Sequence, residues 1–295
     1  MIYTITLNPS IDHYVFLSSD LVTCDTNRAK KTADLCGGKG INVSIVCKKL
    51  GLKTVCTGFA GGFTGDEILR QLNGYGIDAR FVRIEGTTRI NTKIVCGGAV
   101  TEINAASPEI KQNETEELLN MISGLSEKDT VVLSGSVPDT PGLLVSVLDA
   151  IKKTGARLTA DTSGKALKTC LEYRPFLIKP NRAELAAHFG RDKDIDIPEY
   201  AAKLLAYAEN VIISDGENGA YHLNKNGCRY LPVTDTGYKS RNTTGAGDSM
   251  IAGYLYGEQN GIDPFITAVS AGSASAYSEE LFDKNIFDTV IKSYI

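Results

Sequence analysis

The seven cysteines of this chain (Cys24, Cys36, Cys47, Cys56, Cys96, Cys170 and Cys228) include no C-x-x-C pair. An odd, scattered set disfavours both a disulfide framework and a zinc site, and it suits a reducing compartment such as the cytoplasm. Net charge is nearly absent too: 31 Lys and Arg against 35 Asp and Glu leave −4. That is too weak a field to gather nucleic acid or an anionic membrane, so neither is expected as a partner and any anion must be held by a local site. No apolar run approaches the roughly 18 residues of a membrane helix, and the start, MIYTITLNPSID, lacks the basic-then-apolar order of a signal peptide. The common nucleotide-binding fingerprints are missing as well. G-x-x-x-x-G-K-[ST] does not occur, and no strand leads into a G-x-G-x-x-G that opens a helix. A P-loop enzyme and a dinucleotide oxidoreductase are thereby disfavoured.

What is present is a substantial apolar fraction, 42% of 295 residues, enough to bury a large core. From about residue 130, short β-branched runs (VVLSG at 131, LTADTS at 158, FLIKPN at 176, NVIISDG at 210) alternate with amphipathic stretches such as PGLLVSVLDAIKKTG and PEYAAKLLAYAEN. Repeated βα units of this kind predict a mostly parallel, doubly wound sheet covered by helices. Each run ends in polar residues: Ser134, Asp161 with Thr162, Lys179 with Asn181, Ser214 with Asp215. Strand ends are where such sheets bind ligands. The first third differs. IYTITLNP reads as a buried strand and 41–50 as a helix, whereas RFVRIEG, TRINTKIVCGG and VTEINAAS alternate between Gly-containing turns, as in a half-exposed antiparallel sheet. These predict a small β-sheet lid interleaved with the larger part, its strands drawn from about 10–36 and 86–105. No linker divides the chain, so one domain over 1–295 is expected.

Two glycine-rich segments carry chemistry. In NTTGAGDSMIAGY, from Asn242 to Tyr254, Gly245, Ala246 and Gly247 lead into a run with helical spacing, so backbone N–H groups at a helix N-terminus would face an anion. Asp248 then falls in the first turn. A carboxylate beside an anion site suggests a base that takes a hydroxyl proton; equally, an acid there can simply complement the helix dipole. In CGGKGINVS, from Cys36 to Ser44, paired glycines permit close backbone approach, Lys39 supplies a point charge and Asn42 can donate and accept. This suits a hydroxylated anion, and a glycine turn with a solvated lysine fits the same residues. His13, His188 and His222 are too dispersed for a metal site.

Together, TLNPSID at 6–12, GGKGIN at 37–42, KPNRAE at 179–184 and TTGAGD at 243–248 resemble the PfkB, or ribokinase-like, family of carbohydrate kinases. The pattern spans nearly the whole chain and looks like the hexose-phosphate branch, that of 1-phosphofructokinase and tagatose-6-phosphate kinase. The resemblance implies an α/β three-layer sandwich with a mostly parallel central sheet and a β-sheet lid, with ATP and Mg2+ as cofactors. It implies Asp248 as catalytic base, with the Gly245, Ala246 and Gly247 N–H groups on the transferring phosphoryl group. Asp12, Asn42 and the Gly38 backbone would hold sugar hydroxyls, while Lys39, Arg89 and Arg28 would hold the phosphate already on the substrate. Arg28 also reads as a solvated member of the basic run NRAKK. Asn181 and Glu184 match the family's N-x-x-E, with Glu184 on magnesium through water and a helix-terminal acid as the alternative. Lys179, Ser214, Gly216 and Gly219 fall in the nucleotide stretch, where Asp215 departs from the more usual apolar residue or lysine. The small-residue run TAVSAGSASAY would let a helix pack closely beside an adenine slot, and an ordinary tight helix contact fits it equally.

GAGDSM at 245–250, with TRINTKI at 88–94 and TEINA at 101–105, leans toward fructose 1-phosphate as substrate. Tagatose 6-phosphate and fructose 6-phosphate stay open, as does a sugar-phosphate sensor without catalysis, which would not need Asp248, the glycines and Glu184 together. A homodimer joined through the lid is expected, because a lid sheet has edges and an apolar face to bury.

Overall fold

Strand β1 (Ile2–Thr6) starts the main sheet, while β2 (Ser10–Leu17) and β3 (Ala29–Gly37) leave it as a hairpin. Then follow α1 (Lys39–Lys49), β4 (Thr54–Ala60), α2 (Gly62–Gly74), β5 (Asp78–Arg83), β6 (Arg89–Cys96) and β7 (Ala99–Ile103). The predicted βα alternation comes next: α3 (Gln112–Ser123), β8 (Thr130–Ser134), α4 (Leu143–Thr154), β9 (Arg157–Asp161), α5 (Gly164–Leu171), β10 (Leu177–Ile178), α6 (Arg182–His188), α7 (Ile197–Leu204) and β11 (Asn210–Ser214). A hairpin, β12 (Ala220–Asn224) and β13 (Gly227–Leu231), and three helices, α8 (Ala246–Asn260), α9 (Pro264–Tyr277) and α10 (Lys284–Lys292), complete the chain. The computed structural model describes residues 1–97, 99–241 and 243–294; Asn242, the first residue of the glycine-rich segment, lies outside them.

Nine strands form the large sheet in the order β13-β12-β11-β10-β9-β8-β1-β4-β5, parallel from β5 to β11, with β12 and β13 antiparallel at one edge. Alternation along each strand divides the core into two layers. Ile5, Val131, Leu133, Leu158, Ile178 and Val211 pack against α3 to α7, whereas Ile2 and Val132 meet α1, α8, α9 and α10 on the other face. This is the expected three-layer sandwich. The chain winds outward from β1 in both directions, so the C-terminal ends of β1 and β8 border the crevice where winding reverses, the place an open α/β sheet offers a ligand. No helix among the described residues is long and apolar enough to cross a membrane.

A second sheet, of order β3-β2-β6-β7, stands over those strand ends. Two expectations need correction. RFVRIEG is not in it: β5 pairs in parallel with β4 at the edge of the large sheet. At the sheet edge it mixes exposed Asp78, Arg80 and Arg83 with Phe81 and Val82, which pack on opposite faces, and that mixture imitates a lid strand. Nor is the small sheet wholly antiparallel, because its central pair, β2 with β6, runs parallel. Its root is held by Ile11 and Cys36, which pack on Ile68 and Leu72 of α2.

Candidate active site

Two adjoining cavities open at this crevice. The first, about 570 Å³, lies between the small sheet and the N-termini of α1 and α8, and its wall includes Asp12, Gly38, Lys39, Asn42, Arg89 and Asp248. The second, about 510 Å³, is largely apolar, with Val233, Met250, Val269, Ala276 and Tyr277 in its wall beside Gly216, Gly219 and Ala246. Asn181, Ser214 and Gly247 line both. The small-residue helix, α9, contributes Gly272 and Ser273 to the second cavity.

Asp248 sits in the first turn of α8, buried, and accepts a hydrogen bond from the Asn42 side-chain amide (Nδ2 to Oδ2, 2.8 Å). Asn42 therefore orients the carboxylate, a role its sequence context did not reveal. Burial, and then the negative charge of Asp161, push the Asp248 carboxyl up to about 6; Lys39, the Asn42 hydrogen bond and Lys179 pull the other way. The helix begins at Gly245, whose φ of 78° is left-handed, and a side chain there would run into Leu281. A Cβ on Gly247 would meet the Lys179 ammonium at 2.8 Å, so this lysine lies against the helix end. The cradle is narrower than expected. The Ala246 N–H donates to the Thr243 carbonyl (3.2 Å), while those of Gly245 and Gly247 find no acceptor among the described residues.

Asp161, at the end of β9, was legible only as a polar strand end, yet it is the electrostatic centre of the site. It is 1% exposed; both its oxygens lack a hydrogen-bond donor among the described residues, and the Lys39 and Lys179 ammoniums each lie 3.5 Å away. Lys39 also approaches Glu184 (3.9 Å), and Asp161 first, then Asp248 and Glu184, raise its pKa against the cost of burial. Lys39 thus stands with Asp161 and Glu184 while lining the same cavity as Arg89. Glu184 closes a reciprocal cap on α6: its N–H donates to Asn181 Oδ1 (2.8 Å) and its Oε2 accepts from the Asn181 N–H (2.9 Å). The other oxygen, Oε1, faces Lys39. The helix-terminal reading of Glu184 and a free carboxylate oxygen therefore coexist.

At the small-sheet end, Asp12 accepts from the Ser10 hydroxyl (2.8 Å) and the Asn91 amide (3.2 Å) and pairs with Lys93 at 3.2 Å. Lys93 is itself buried, also meets Glu102 at 3.4 Å, and was missed by sequence reasoning, as were Asn91 and Glu102. Register was the hidden signal: Asn91 lies opposite Asp12, and Lys93 opposite Glu102. Arg89 donates to the Asn8 carbonyl (3.1 Å) and to Asn91 Oδ1 (3.2 Å), its Nε is buried without a partner among the described residues, and desolvation lowers its pKa. Among the described residues it is the cation of this wall with no carboxylate within ion-pair distance. Arg28 is exposed just before β3 and lines neither cavity.

The model of the pfkB family carbohydrate kinases matches residues 6–277. A 1-phosphofructokinase of Borreliella burgdorferi is 41% identical over 95% of this chain and 93% of its own. A D-tagatose-1-phosphate kinase of Bacillus licheniformis is 37% identical over 98% and 96%. Among solved structures, phosphofructokinase-2 from Escherichia coli in complex with fructose-6-phosphate superimposes with a TM-score of 0.91 at 25% identity, covering 99% of this chain and 98% of that one. Buried carboxylate, glycine-led helix and paired cavities thus stand on a chain of matching length and fold, and the protein belongs to the pfkB family of carbohydrate kinases.

Proposed function

We propose that the protein transfers the γ-phosphoryl group of ATP to O6 of fructose 1-phosphate, giving fructose 1,6-bisphosphate and ADP. The observation that carries this reading is Asp248, buried at the N-terminus of α8 beside Gly247, which borders both cavities. The sugar phosphate fits the polar first cavity, with Asp12 and the Gly38 backbone on its hydroxyls and Arg89 on its phosphate. The nucleotide fits the second, its base against the apolar wall and its phosphates reaching Ser214, Gly216, Gly219 and the end of α8.

In the reaction, Asp248 accepts the proton of the O6 hydroxyl as O6 bonds to the γ-phosphorus, and the bond from that phosphorus to the bridging oxygen breaks, releasing ADP. Asn42 holds the carboxylate oxygen in line. Lys39, Lys179 and the N–H groups of Gly245 and Gly247 face the negative charge that spreads over the moving group. Oxygen donors suited to a hydrated magnesium ion are present in the Asp161 carboxylate, which accepts no hydrogen bond among the described residues though two lysines flank it, and in Glu184 Oε1. That ion, carried in with ATP, would neutralise charge on the β- and γ-phosphates.

Tagatose 1-phosphate, the C4 epimer, is the second reading, favoured by the relative of that specificity. Both sugars carry the phosphate on C1 and leave O6 free. Initial rates with ATP and magnesium across fructose 1-phosphate, tagatose 1-phosphate, tagatose 6-phosphate and fructose 6-phosphate test the choice. The highest kcat/KM should belong to fructose 1-phosphate; a higher value for another ketose phosphate would replace it. Binding of these sugars without turnover of any would instead support the sensor.

We also infer a homodimer formed through the small sheet. On the face that carries Asp12, Tyr14 and Phe16 stack, and Leu35 and Val100 are about half exposed. A second copy laid on this face would bury them. Sedimentation should give twice the chain mass; a monomer at micromolar concentration would contradict it.

A further inference from the structure

Asp215 opens the turn that follows β11, and the fold supplies its partner. The Arg182 guanidinium forks onto it, Nε to Oδ1 and Nη2 to Oδ2, both at 2.6 Å. The Asp215 side chain is only 8% exposed, and the Asn218 amide adds a third contact at 3.3 Å. Arg182 also donates to the Ile195 carbonyl (3.3 Å), tying the α6–α7 loop to the same point. An exposed single-point ion pair would fix little, but a two-point fork onto a buried carboxylate fixes both distance and orientation.

The pair is placed where orientation matters. Arg182 directly follows Asn181 and Asp215 directly follows Ser214, the two residues that, with Gly247, line both cavities. Their backbones are joined by the Ser214 N–H to the Pro180 carbonyl (3.2 Å) and by a parallel bridge between Asn181 and Ser214. Beyond Asp215, Gly216–Asn218 form a one-turn 3-10 segment, and Gly216, Glu217 and Gly219 line the second cavity; the Asp215 N–H donates to the Gly219 carbonyl (2.9 Å). On the acceptor side, by contrast, Asp12, Arg89 and Asn42 are held by the small sheet and α1, which the fork does not touch.

We propose that Arg182 and Asp215 are a positioning pair that locks the start of α6 to the Ser214–Gly219 turn and so sets the width of the nucleotide cavity. This rests on the reading of that cavity as the ATP slot. Removing either charge lets the turn drift from α6 while the sugar site stays intact, so binding of the two substrates separates.

The test is calorimetric titration of the full chain with ADP and, separately, with fructose 1-phosphate, for the wild type, Arg182→Met, Asp215→Asn and Arg182→Lys. Arg182→Met and Asp215→Asn should each weaken ADP about tenfold, a modest share of what a misplacement of about 1 Å can cost, and leave fructose 1-phosphate binding unchanged. Arg182→Lys should recover part of the loss, since a single ammonium cannot fork; it also serves if the other two fail to fold. Unchanged ADP affinity in the folded variants, or equal weakening of both ligands, would overturn the proposal. A wild type that binds fructose 1-phosphate but no ADP would overturn the nucleotide slot and the pair with it.

Discussion

Replacing Asp248 by Asn should stabilise the protein while it removes activity. The Asp248 carboxyl is held at about 6 against an ordinary 3.8, chiefly by burial. At about 1.4 kcal/mol per pH unit, keeping it ionised costs the folded state roughly 3 kcal/mol above pH 6. The sign follows from proton affinity. The folded carboxyl holds its proton more tightly than the unfolded one, so its contribution is fully favourable below about 3.8, fades as pH rises to about 6, and is gone above. Asparagine stays neutral throughout and can accept the Asn42 hydrogen bond through its carbonyl. Urea denaturation near pH 8 should therefore find Asp248→Asn more stable by about 1 to 3 kcal/mol, the excess vanishing near pH 4. Turnover should fall by roughly 10² to 10⁴, and the acid limb of the wild-type kcat/KM should lie near pH 6, since the base must be ionised to act. Equal stabilities near pH 8, or an excess that does not vary with pH, would refute the reasoning.

Arg89→Met should raise the KM for the sugar phosphate by about 10- to 100-fold, the value of one charge-assisted contact, and leave that for ATP unchanged in steady-state kinetics. Lys93→Met leaves the Asp12 carboxylate without its nearest cation; a loss of about 1 to 3 kcal/mol is expected in urea denaturation, recovered by adding Asp12→Asn without recovery of sugar binding. Gly219→Ala would place a Cβ 2.1 Å from the Leu231 carbonyl oxygen at a φ of +100°; a clearly lowered Tm, from about 2 kcal/mol or more of strain, is expected, and an unchanged one would contradict the tight turn.

Local pattern and glycine spacing made much of this molecule readable. The βα alternation after residue 130, the helix opened by Gly245 and the helix-terminal place of Glu184 each depend on residues within a few positions of one another, and each has its counterpart in the structure. What stayed hidden depends on partners far away in the chain. β5 mixes exposed and buried residues as a lid strand does, and only its pairing with β4 separates the cases. Lys93 gains meaning from Asp12, and Arg182 from Asp215, through contacts that no local spacing encodes. Arg28 shows the converse, a basic residue near the right motif that lies exposed just before β3 and lines neither cavity.

The most direct test of the central claim is phosphorus NMR of fructose 1-phosphate incubated with the protein, magnesium and ATP. A new phosphomonoester on C6, appearing in step with ADP and absent with Asp248→Asn, is the predicted result. Inorganic phosphate released from ATP with the sugar unchanged, or a C6 ester formed equally fast by the variant, would contradict it.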